Sequence, residues 1–233
     1  MAARGRDDAE GSTLSVAAED HLKEIYKATE WGAGGVSTSE LARVLGTTPA
    51  SVSDMVKRLG ARGLVDHRPY RPVRLTDAGR EAAVRVVRRH RLLETFLVAE
   101  LGYSWDEVHD EAEALEHWVS ERLLERIDAK LGRPGTDPHG DPIPRADGSV
   151  DAQPGLIPLG EAGEGEYEVA RLSDGDPDLL VFCARRGLTP GARVRLAGRE
   201  AVAGTVTLEP DGGTPVVVGE GLAGAVHLRP VRR

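Results

Sequence analysis

Histidine and carboxylate residues at helical spacing constrain this chain more than any other feature. Ser104 followed three residues later by Glu107 has the form of a capping box, which predicts that a helix begins at Ser104. Four side chains on this helix have the spacing i, i+4, i+7 and i+8 and share one face: His109, Glu113, Glu116 and His117. The preceding helix carries His90 and Glu94 one turn apart. Imidazoles and carboxylates gathered in this way are ligands for a divalent first-row metal, although helix faces rich in Glu are also common as solvated surfaces.

Composition limits the class of protein. The chain has 233 residues and a single cysteine, Cys183, which excludes an internal disulfide framework and a thiolate metal cluster. No apolar run is long enough to span a membrane, and residues 1–11 are charged and have no apolar signal core. We therefore expect a cytoplasmic protein without a membrane partner, and a flexible N-terminal arm over 1–14.

The net charge of -8 hides a division between two parts of the chain. Residues 54–91 contain eleven basic and four acidic side chains, whereas residues 94–128 contain eleven acidic and two basic ones. A basic module followed by an acidic module favours a polyanion as the partner of the first and a cation as the partner of the second.

The basic part has the pattern of a winged helix-turn-helix. We predict helices over 15–30, from Ser37 or Thr38 to Gly46, and over 49–60, where Thr48 and Pro49 form a strong helix start. Strands over 64–68 and 73–75 around a tip rich in Pro and Arg predict a basic hairpin, which can contact the DNA backbone. Thr76 then caps a long helix that carries residues 82–97 and presents His90 and Glu94. The predicted partner is double-stranded DNA.

The remainder of the chain predicts a linker and a small β-barrel. The segment that begins at Gly132 is too rich in Pro and Gly for a helix or a strand. Period-two patterns predict five strands and one short helix, at 167–172, 192–196, 205–208, 215–218 and 225–229 for the strands and 178–186 for the helix.

The winged helix and four stretches together resemble the diphtheria toxin repressor family of metal-dependent transcriptional regulators; the stretches are 20–26, 89–94, 108–117 and 137–144. The resemblance implies an α+β multidomain protein that is not an enzyme and takes no small-molecule substrate. Its expected parts are the arm (1–14), a winged helix-turn-helix domain (15–78), a helical dimerisation and metal-binding domain (79–140), a linker (141–158) and an SH3-like domain (159–233). It further implies a homodimer that binds a palindromic operator when metal is bound.

The resemblance also implies the metal ligands. A principal ion would be held by Asp20, Glu113, Glu116 and His117, and a second ion by His90, Glu94 and His109. Asp174 in the barrel would approach this second ion. Short manganese regulators place a ligating carboxylate where this chain has Lys23, so their closely spaced two-metal arrangement is not implied here.

Oxygen donors at Asp20 and Glu113 resemble the manganese-responsive branch, because the iron-responsive branch has Met and Cys at these places. Carboxylates suit Mn²⁺, which is lowest in the affinity order of divalent metals. The expected cofactor is therefore Mn²⁺, with Fe²⁺ as the alternative, and the expected function is metal-activated repression of manganese uptake genes. The DNA-binding residues that the resemblance implies are Thr48, Ala50, Ser51, Asp54, Lys57, Arg58, Arg71 and Arg74.

Two other classes stay open from the residues. A metallohydrolase also uses Glu and His ligands, although no His-Glu-x-x-His motif occurs and the winged helix would be unexplained. A regulator that binds an organic effector would leave the Glu and His residues simply solvated.

Overall fold

A computed structural model of the chain describes residues 14–31, 34–68, 71–105 and 107–231. The polypeptide divides into two compact units between Val86 and Val87. The arm predicted over 1–14 lies, except for Leu14, outside the described residues. In this described part of the chain, no helix is both long and apolar enough to cross a lipid bilayer.

Three helices in the first unit confirm the helix-turn-helix prediction. They are α1 (Val16–Glu30), α2 (Thr38–Val44) and α3 (Pro49–Ala61), and each follows a hydroxyl side chain that accepts a backbone N–H bond. At α3 this residue is Thr48, whose Oγ1 accepts the N–H of Ser51 at 3.2 Å, while Pro49 occupies the first turn, where its missing N–H is not needed. Gly46, with a φ of 59°, adopts the left-handed conformation after α2 and turns the chain into α3.

The wing is shorter than predicted. Strands β1 (Val65–Asp66) and β2 (Arg74–Leu75) pair antiparallel. Val73, predicted to begin the second strand, instead forms an isolated bridge with Val36 through N–H···O distances of 3.1 and 2.8 Å. Pro72 has no N–H to donate, which limits the ladder between the two strands. The tip at positions 69 and 70 lies outside the described residues.

One long helix, α4 (Asp77–Leu101), continues along the chain from the first unit into the second. Its start confirms the predicted cap, because Thr76 Oγ1 accepts the N–H of Gly79 at 3.1 Å. A Cβ at Gly79 would lie 1.8 Å from the carbonyl oxygen of Leu64. Only glycine therefore allows the helix to begin this close to the chain that leads into β1.

Two further helices follow in the second unit, α5 (Val108–Glu116) and α6 (Glu121–Lys130). The prediction that α5 begins at Ser104 is wrong. The N–H of Ser104 donates to Glu107 Oε1 at 3.1 Å, which is half of a capping box and closes a turn ahead of the helix. Helix α6 was not predicted as a separate helix, because it begins within the acidic stretch over 94–128. Aliphatic residues of α4, α5 and α6 form a buried core: Leu93, Leu97, Val108, Ala112 and Ile127.

The segment rich in Pro and Gly after α6 has irregular backbone, yet it is packed. Asp137, His139, Asp141 and Ile143 are buried. The linker predicted over 141–158 thus begins with four buried residues, and its exposed part starts only after them. Gly140, with a φ of 88°, allows a close approach of two backbones, because a Cβ there would lie 2.0 Å from the carbonyl oxygen of Ala170.

The C-terminal part forms one antiparallel sheet of six strands. They are β3 (Ile157–Pro158), β4 (Gly165–Leu172), β5 (Arg193–Glu200), β6 (Thr205–Pro210), β7 (Val216–Gly219) and β8 (Val226–Pro230), in the order β3-β8-β4-β5-β6-β7. The five predicted strands are confirmed, and so is the short helix, α7 (Pro177–Ala184).

Two elements of this sheet domain were missed. Strand β3 is only two residues long, too short for a period-two pattern. Helix α8 (Glu220–Ala225) contains two glycines, which disfavour a helix in isolation. A bulge between Val169 and Arg171 interrupts the pairing of β4 with β8, and Ala170, Arg171 and Leu172 are consecutively buried.

Candidate metal centre

Helix α4 presents His90 and Glu94 on its buried face. His90 Nε2 lies 2.9 Å from Glu94 Oε1, and both side chains are almost fully buried. Leu92, Leu93 and Leu97 on the same helix are also buried, so this part of α4 is covered on most sides. A carboxylate in such a place requires charged or hydrogen-bonding partners, because burial penalises its ionised form.

Helix α5 and the loop after β4 complete the predicted second site. His109 Nδ1 lies 3.2 Å from Glu94 Oε1 and 3.5 Å from Asp174 Oδ2. The rings of His90 and His109 meet edge to face, with 3.1 Å between His90 Nε2 and His109 Nδ1. One donor atom from each of these four residues lies within 4.8 Å of the others. The structure therefore brings together all four residues that were expected around the second ion.

Two further donors in this place were missed from the sequence. Asp137 and His139 are buried, and each has a donor atom within 4.8 Å of the Glu94 carboxylate. The available signal was a His between two Asp residues in 137–141, but the Pro and Gly around it indicated a linker. We call the six residues together the Glu94 cluster: His90, Glu94, His109, Asp137, His139 and Asp174.

The protonation form of His139 is set by a backbone group. His139 Nε2 lies 2.7 Å from the carbonyl oxygen of Trp105, which can only accept, so Nε2 carries the proton. The other ring nitrogen, Nδ1, faces Glu94 Oε2 at 3.8 Å, too far for a hydrogen bond. A backbone carbonyl that holds one imidazole nitrogen while the other faces the site is the usual arrangement around metal-binding histidines.

Two buried atoms in the cluster test whether a cation would fit there. Glu94 Oε2 and His139 Nδ1 have no hydrogen-bond partner among the described residues. Buried polar atoms without partners are rare, and when they occur together they mark places for a water or an ion. The surrounding donors are carboxylate oxygens and imidazole nitrogens, which bind divalent first-row metals.

The electrostatics of the cluster agree with its crowding. Burial acts to raise the pKa of Glu94, but the charge of His90 and the contacts with His109 and His139 hold it well below its usual value. Burial raises the pKa of Asp137 to about 7, with Asp141 and Glu94 adding to the effect. Burial opposes protonation of His139, yet the facing carboxylates, Glu94 first, raise its pKa to about 10.

The predicted ligands of the principal ion lie partly beside this cluster. Glu116 is fully buried near the end of α5, with His90 Nδ1 2.6 Å from its Oε2 and His117 Nε2 3.3 Å from its Oε1. Glu113 is half exposed, and its Oε1 lies 3.6 Å from His109 Nε2. Asp20 lies on α1 in the first unit, half-buried, and its role as a ligand stays a prediction.

The predicted DNA-binding residues lie on the exposed side of the winged helix-turn-helix. On α3, Val52, Met55, Val56 and Leu59 are buried and hold the helix to its own domain. All eight candidates are exposed: Thr48, Ala50, Ser51, Asp54, Lys57, Arg58, Arg71 and Arg74. A helix with its polar face free and basic residues on the adjacent hairpin is the arrangement that DNA recognition requires.

Family models match consecutive parts of the chain. The N-terminal DNA binding domain of iron dependent repressors matches residues 13–73, and their metal binding and dimerisation domain matches residues 76–145. The FeoA domain matches residues 157–230, which include the whole C-terminal sheet.

Individual proteins agree with these matches. The iron-dependent repressor IdeR of Mycobacterium tuberculosis is 34% identical over 222 residues, which cover 86% of this chain and 87% of that protein. A solved manganese-dependent transcriptional repressor in complex with manganese is 48% identical, with a TM-score of 0.86 over 92% of this chain and 100% of the other. The apo form of the manganese-activated repressor ScaR is 34% identical, with a TM-score of 0.79 over 91% of this chain and 100% of that one. The chain therefore belongs to the iron-dependent repressor family, which includes the diphtheria toxin repressor, and is a metal-dependent transcriptional repressor.

Proposed function

We propose that this repressor responds to Mn²⁺, and that the Glu94 cluster is one of its sensing sites. The observation that carries the proposal is a pair of buried atoms 3.8 Å apart, Glu94 Oε2 and His139 Nδ1, that have no hydrogen-bond partner in the described part of the chain and lie among oxygen and nitrogen donors alone. The only cysteine, Cys183, is buried in the core of the C-terminal sheet and is not among the donors. A hard donor set without sulfur suits Mn²⁺.

A second ion would be held by Asp20, Glu113, Glu116 and His117, as the family resemblance implies. Glu116 supports this assignment because it is buried and already faces two imidazoles, those of His90 and His117. Glu113 and Asp20 would contribute carboxylates at the two places where the iron-responsive branch has Cys and Met, respectively. These oxygen donors are the feature of the sequence that favours manganese over iron.

The control of operator binding by metal follows from the charges of the metal-binding residues. Glu94, Asp137 and Asp174 are buried near one another, and their mutual repulsion opposes a close arrangement. A bound divalent cation supplies two positive charges to this group. We propose that the ligands, once gathered, favour the form of a homodimer whose two α3 helices match the half-sites of a palindromic operator. The coupling free energy between metal binding and operator binding is typically ~1–3 kcal/mol, or roughly 5- to 150-fold in operator affinity.

Iron is the second candidate for the effector. The relative from Mycobacterium tuberculosis is named an iron-dependent repressor and covers most of this chain. The two ions differ in their preference for sulfur donors rather than in charge, so a direct competition is needed to separate them.

The test is operator binding measured under anaerobic conditions across free Mn²⁺ and Fe²⁺, with the wild-type protein, His139→Ala and Glu209→Gln. Glu209 pairs with the exposed Arg195 on the C-terminal sheet and serves as the control. We expect Mn²⁺ to raise operator affinity at lower free concentration than Fe²⁺, and His139→Ala alone to require more metal. Equal or better activation by Fe²⁺ would contradict the manganese assignment, and an unchanged response of His139→Ala would contradict the sensing role of the Glu94 cluster.

A further inference from the structure

We propose that Asp141 is a positioning residue that makes cation binding at the Glu94 cluster depend on the packing of the C-terminal sheet against the helices. Asp141 is not among the donor groups, since its two oxygens bind guanidinium groups on either side. The proposal rests on the proposed role of the Glu94 cluster as a cation site.

The Asp141 carboxylate joins two arginines from different elements. Arg91 on α4 donates from Nη2 to Asp141 Oδ2 at 3.2 Å. Arg171 on β4 donates from Nε to Asp141 Oδ1 at 2.5 Å and contacts the same oxygen through Nη2. The three side chains are between 2% and 7% exposed, so solvent screens their charges little. Charge-assisted bonds of this kind fix direction as well as distance.

The loop of Asp141 also holds the two donors that the sequence pattern missed. Asp137 Oδ1 accepts the backbone N–H groups of His139 and Asp141, each at 2.9 Å. The carbonyl oxygen of His139 accepts the N–H of Leu172 in β4 at 2.9 Å. Asp141 therefore closes a loop that has His139 at its middle and is bonded to the last residue of β4.

The arginines themselves are placed close to other donors along the chain. Arg91 precedes Glu94 by three residues on α4, and Arg171 precedes Asp174 by three residues at the end of β4. One carboxylate thus connects the helix that carries Glu94, the loop that carries His139 and the strand that leads to Asp174. Metal sites require their donors to be held within about 0.5 Å of the binding geometry, and such second contacts provide that precision.

Because Arg91, Asp141 and Arg171 are buried, their contacts are sensitive to a single substitution. Removing one partner from a buried group of charges leaves the others uncompensated, and the local structure rearranges to reach water or new partners. If β4 moved away from α4, Asp141 would lose Arg171, and the loop of His139 would lose its bond to Leu172. The position of Asp174 relative to Glu94 would change in the same movement. Cation binding and packing of the sheet are therefore one equilibrium.

The first variant is Asp141→Asn, which keeps the shape of the side chain and removes its charge. We expect Mn²⁺ affinity at the Glu94 cluster to fall by about 10- to 100-fold, the range for residues that orient metal ligands. Binding is followed by the electron paramagnetic resonance signal of free Mn²⁺, with hydrogen exchange at the Leu172 amide as a second readout. The control is Glu209→Gln, which removes the charge of the carboxylate that accepts from the exposed Arg195 on the same sheet and should leave both readouts unchanged.

A second variant separates positioning from simple loss of stability. Arg171→Lys keeps the positive charge beside Asp141 but gives up the planar two-point contact. We expect an intermediate loss of Mn²⁺ affinity and faster exchange at Leu172 while the chain remains folded. The double variant of Asp141→Asn and Arg171→Lys should lose little more affinity than Asp141→Asn alone, because both changes break the same contact.

The outcomes distinguish this proposal from the proposed function. The positioning role would be overturned if Arg171→Lys, and a folded Asp141→Asn, kept the Mn²⁺ affinity and the Leu172 exchange rate of the wild type. It would also be overturned if Glu209→Gln lost as much Mn²⁺ affinity as they do. If Glu94→Gln binds as many Mn²⁺ ions as the wild-type protein does, this result would instead contradict the cation site itself.

Discussion

His90 Nδ1 lies 2.6 Å from Glu116 Oε2, so one buried imidazole connects the two groups of ligands that were expected around separate ions. The opposite nitrogen, Nε2, lies 2.9 Å from Glu94 Oε1. The imidazole bonds both carboxylates only when both of its nitrogens carry protons, so a cation that binds one nitrogen has to displace a proton and changes what the ring offers on the other side. The two proposed ions are linked through this ring.

The first prediction is that His90→Gln weakens both metal sites. Glutamine has comparable length but offers no second ring nitrogen, so it cannot contact Glu94 and Glu116 in the same way. Equilibrium dialysis should show reduced Mn²⁺ binding at both sites, by about 10-fold or more. The exposed pair Arg145 and Asp151 provides a control, and Asp151→Asn should bind as the wild type does. A loss confined to one ion would refute the link through the ring.

The second prediction is that Mn²⁺ affinity rises with pH. The pKa of His139 is about 10, so at neutral pH its ring carries a proton on the nitrogen that a cation needs. Asp137, with a pKa raised to about 7, also keeps part of its proton below that pH. Because the folded protein binds these protons in competition with the metal, lowering the pH should weaken binding by about tenfold per unit for each proton released.

This pH dependence is measured by Mn²⁺ titration between about pH 6 and pH 8, with proton release recorded in weakly buffered solution. His139→Ala should release fewer protons than the wild type. A constant affinity without proton release would show that the cluster is already deprotonated.

The third prediction concerns the DNA surface. Lys57 is exposed on α3, and its contact with Asp54 at 3.5 Å is an exposed pair of little energetic weight. Lys57→Gln should weaken binding to all operator sequences alike and reduce the salt dependence of binding by about one unit of slope. Fluorescence anisotropy at several salt concentrations measures this slope. A change in preference between operator sequences would instead place Lys57 at a base edge.

The fourth prediction compares two glycines with the same backbone conformation. Gly140 and Gly148 have φ values of 88° and 82°, but only Gly140 has a neighbour, Ala170, within contact distance of an added Cβ. Gly148→Ala should cost about 1–2 kcal/mol, the strain of a left-handed alanine. Gly140→Ala should cost more and also weaken Mn²⁺ binding, because the loop of His139 has to move. Thermal unfolding and metal titration of both variants decide this, and equal losses would count against the close packing.

Local chemistry explains which parts of the fold were predictable from sequence. A hydroxyl oxygen accepts a hydrogen bond from the backbone N–H three residues later at the start of each of α1 to α4; the residues are Ser15, Ser37, Thr48 and Thr76. These helix starts therefore follow from the sequence alone. The strands of the C-terminal sheet follow from alternation of buried and partly exposed residues, as in β6. Where the alternation is absent, as in the two-residue β3, the strand was missed.

The metal centre was predictable only in part, for the same reason. His90, Glu94 and His109 lie on helices with a readable period, and the resemblance supplied Asp174. His139 lies in irregular backbone, and its defining contact is with Trp105, which is 34 positions away along the chain. No local pattern encodes a contact at that separation, so composition alone indicated a linker.

The acceptor beside His139 is a main-chain oxygen, and this makes the choice of tautomer independent of the residue type at position 105. Any amino acid at that position supplies the same carbonyl, so a substitution there can alter the ring stacked near His139 without removing the proton acceptor. The indole of Trp105 can therefore be exchanged for another aromatic probe while the imidazole keeps the orientation that leaves Nδ1 directed at Glu94.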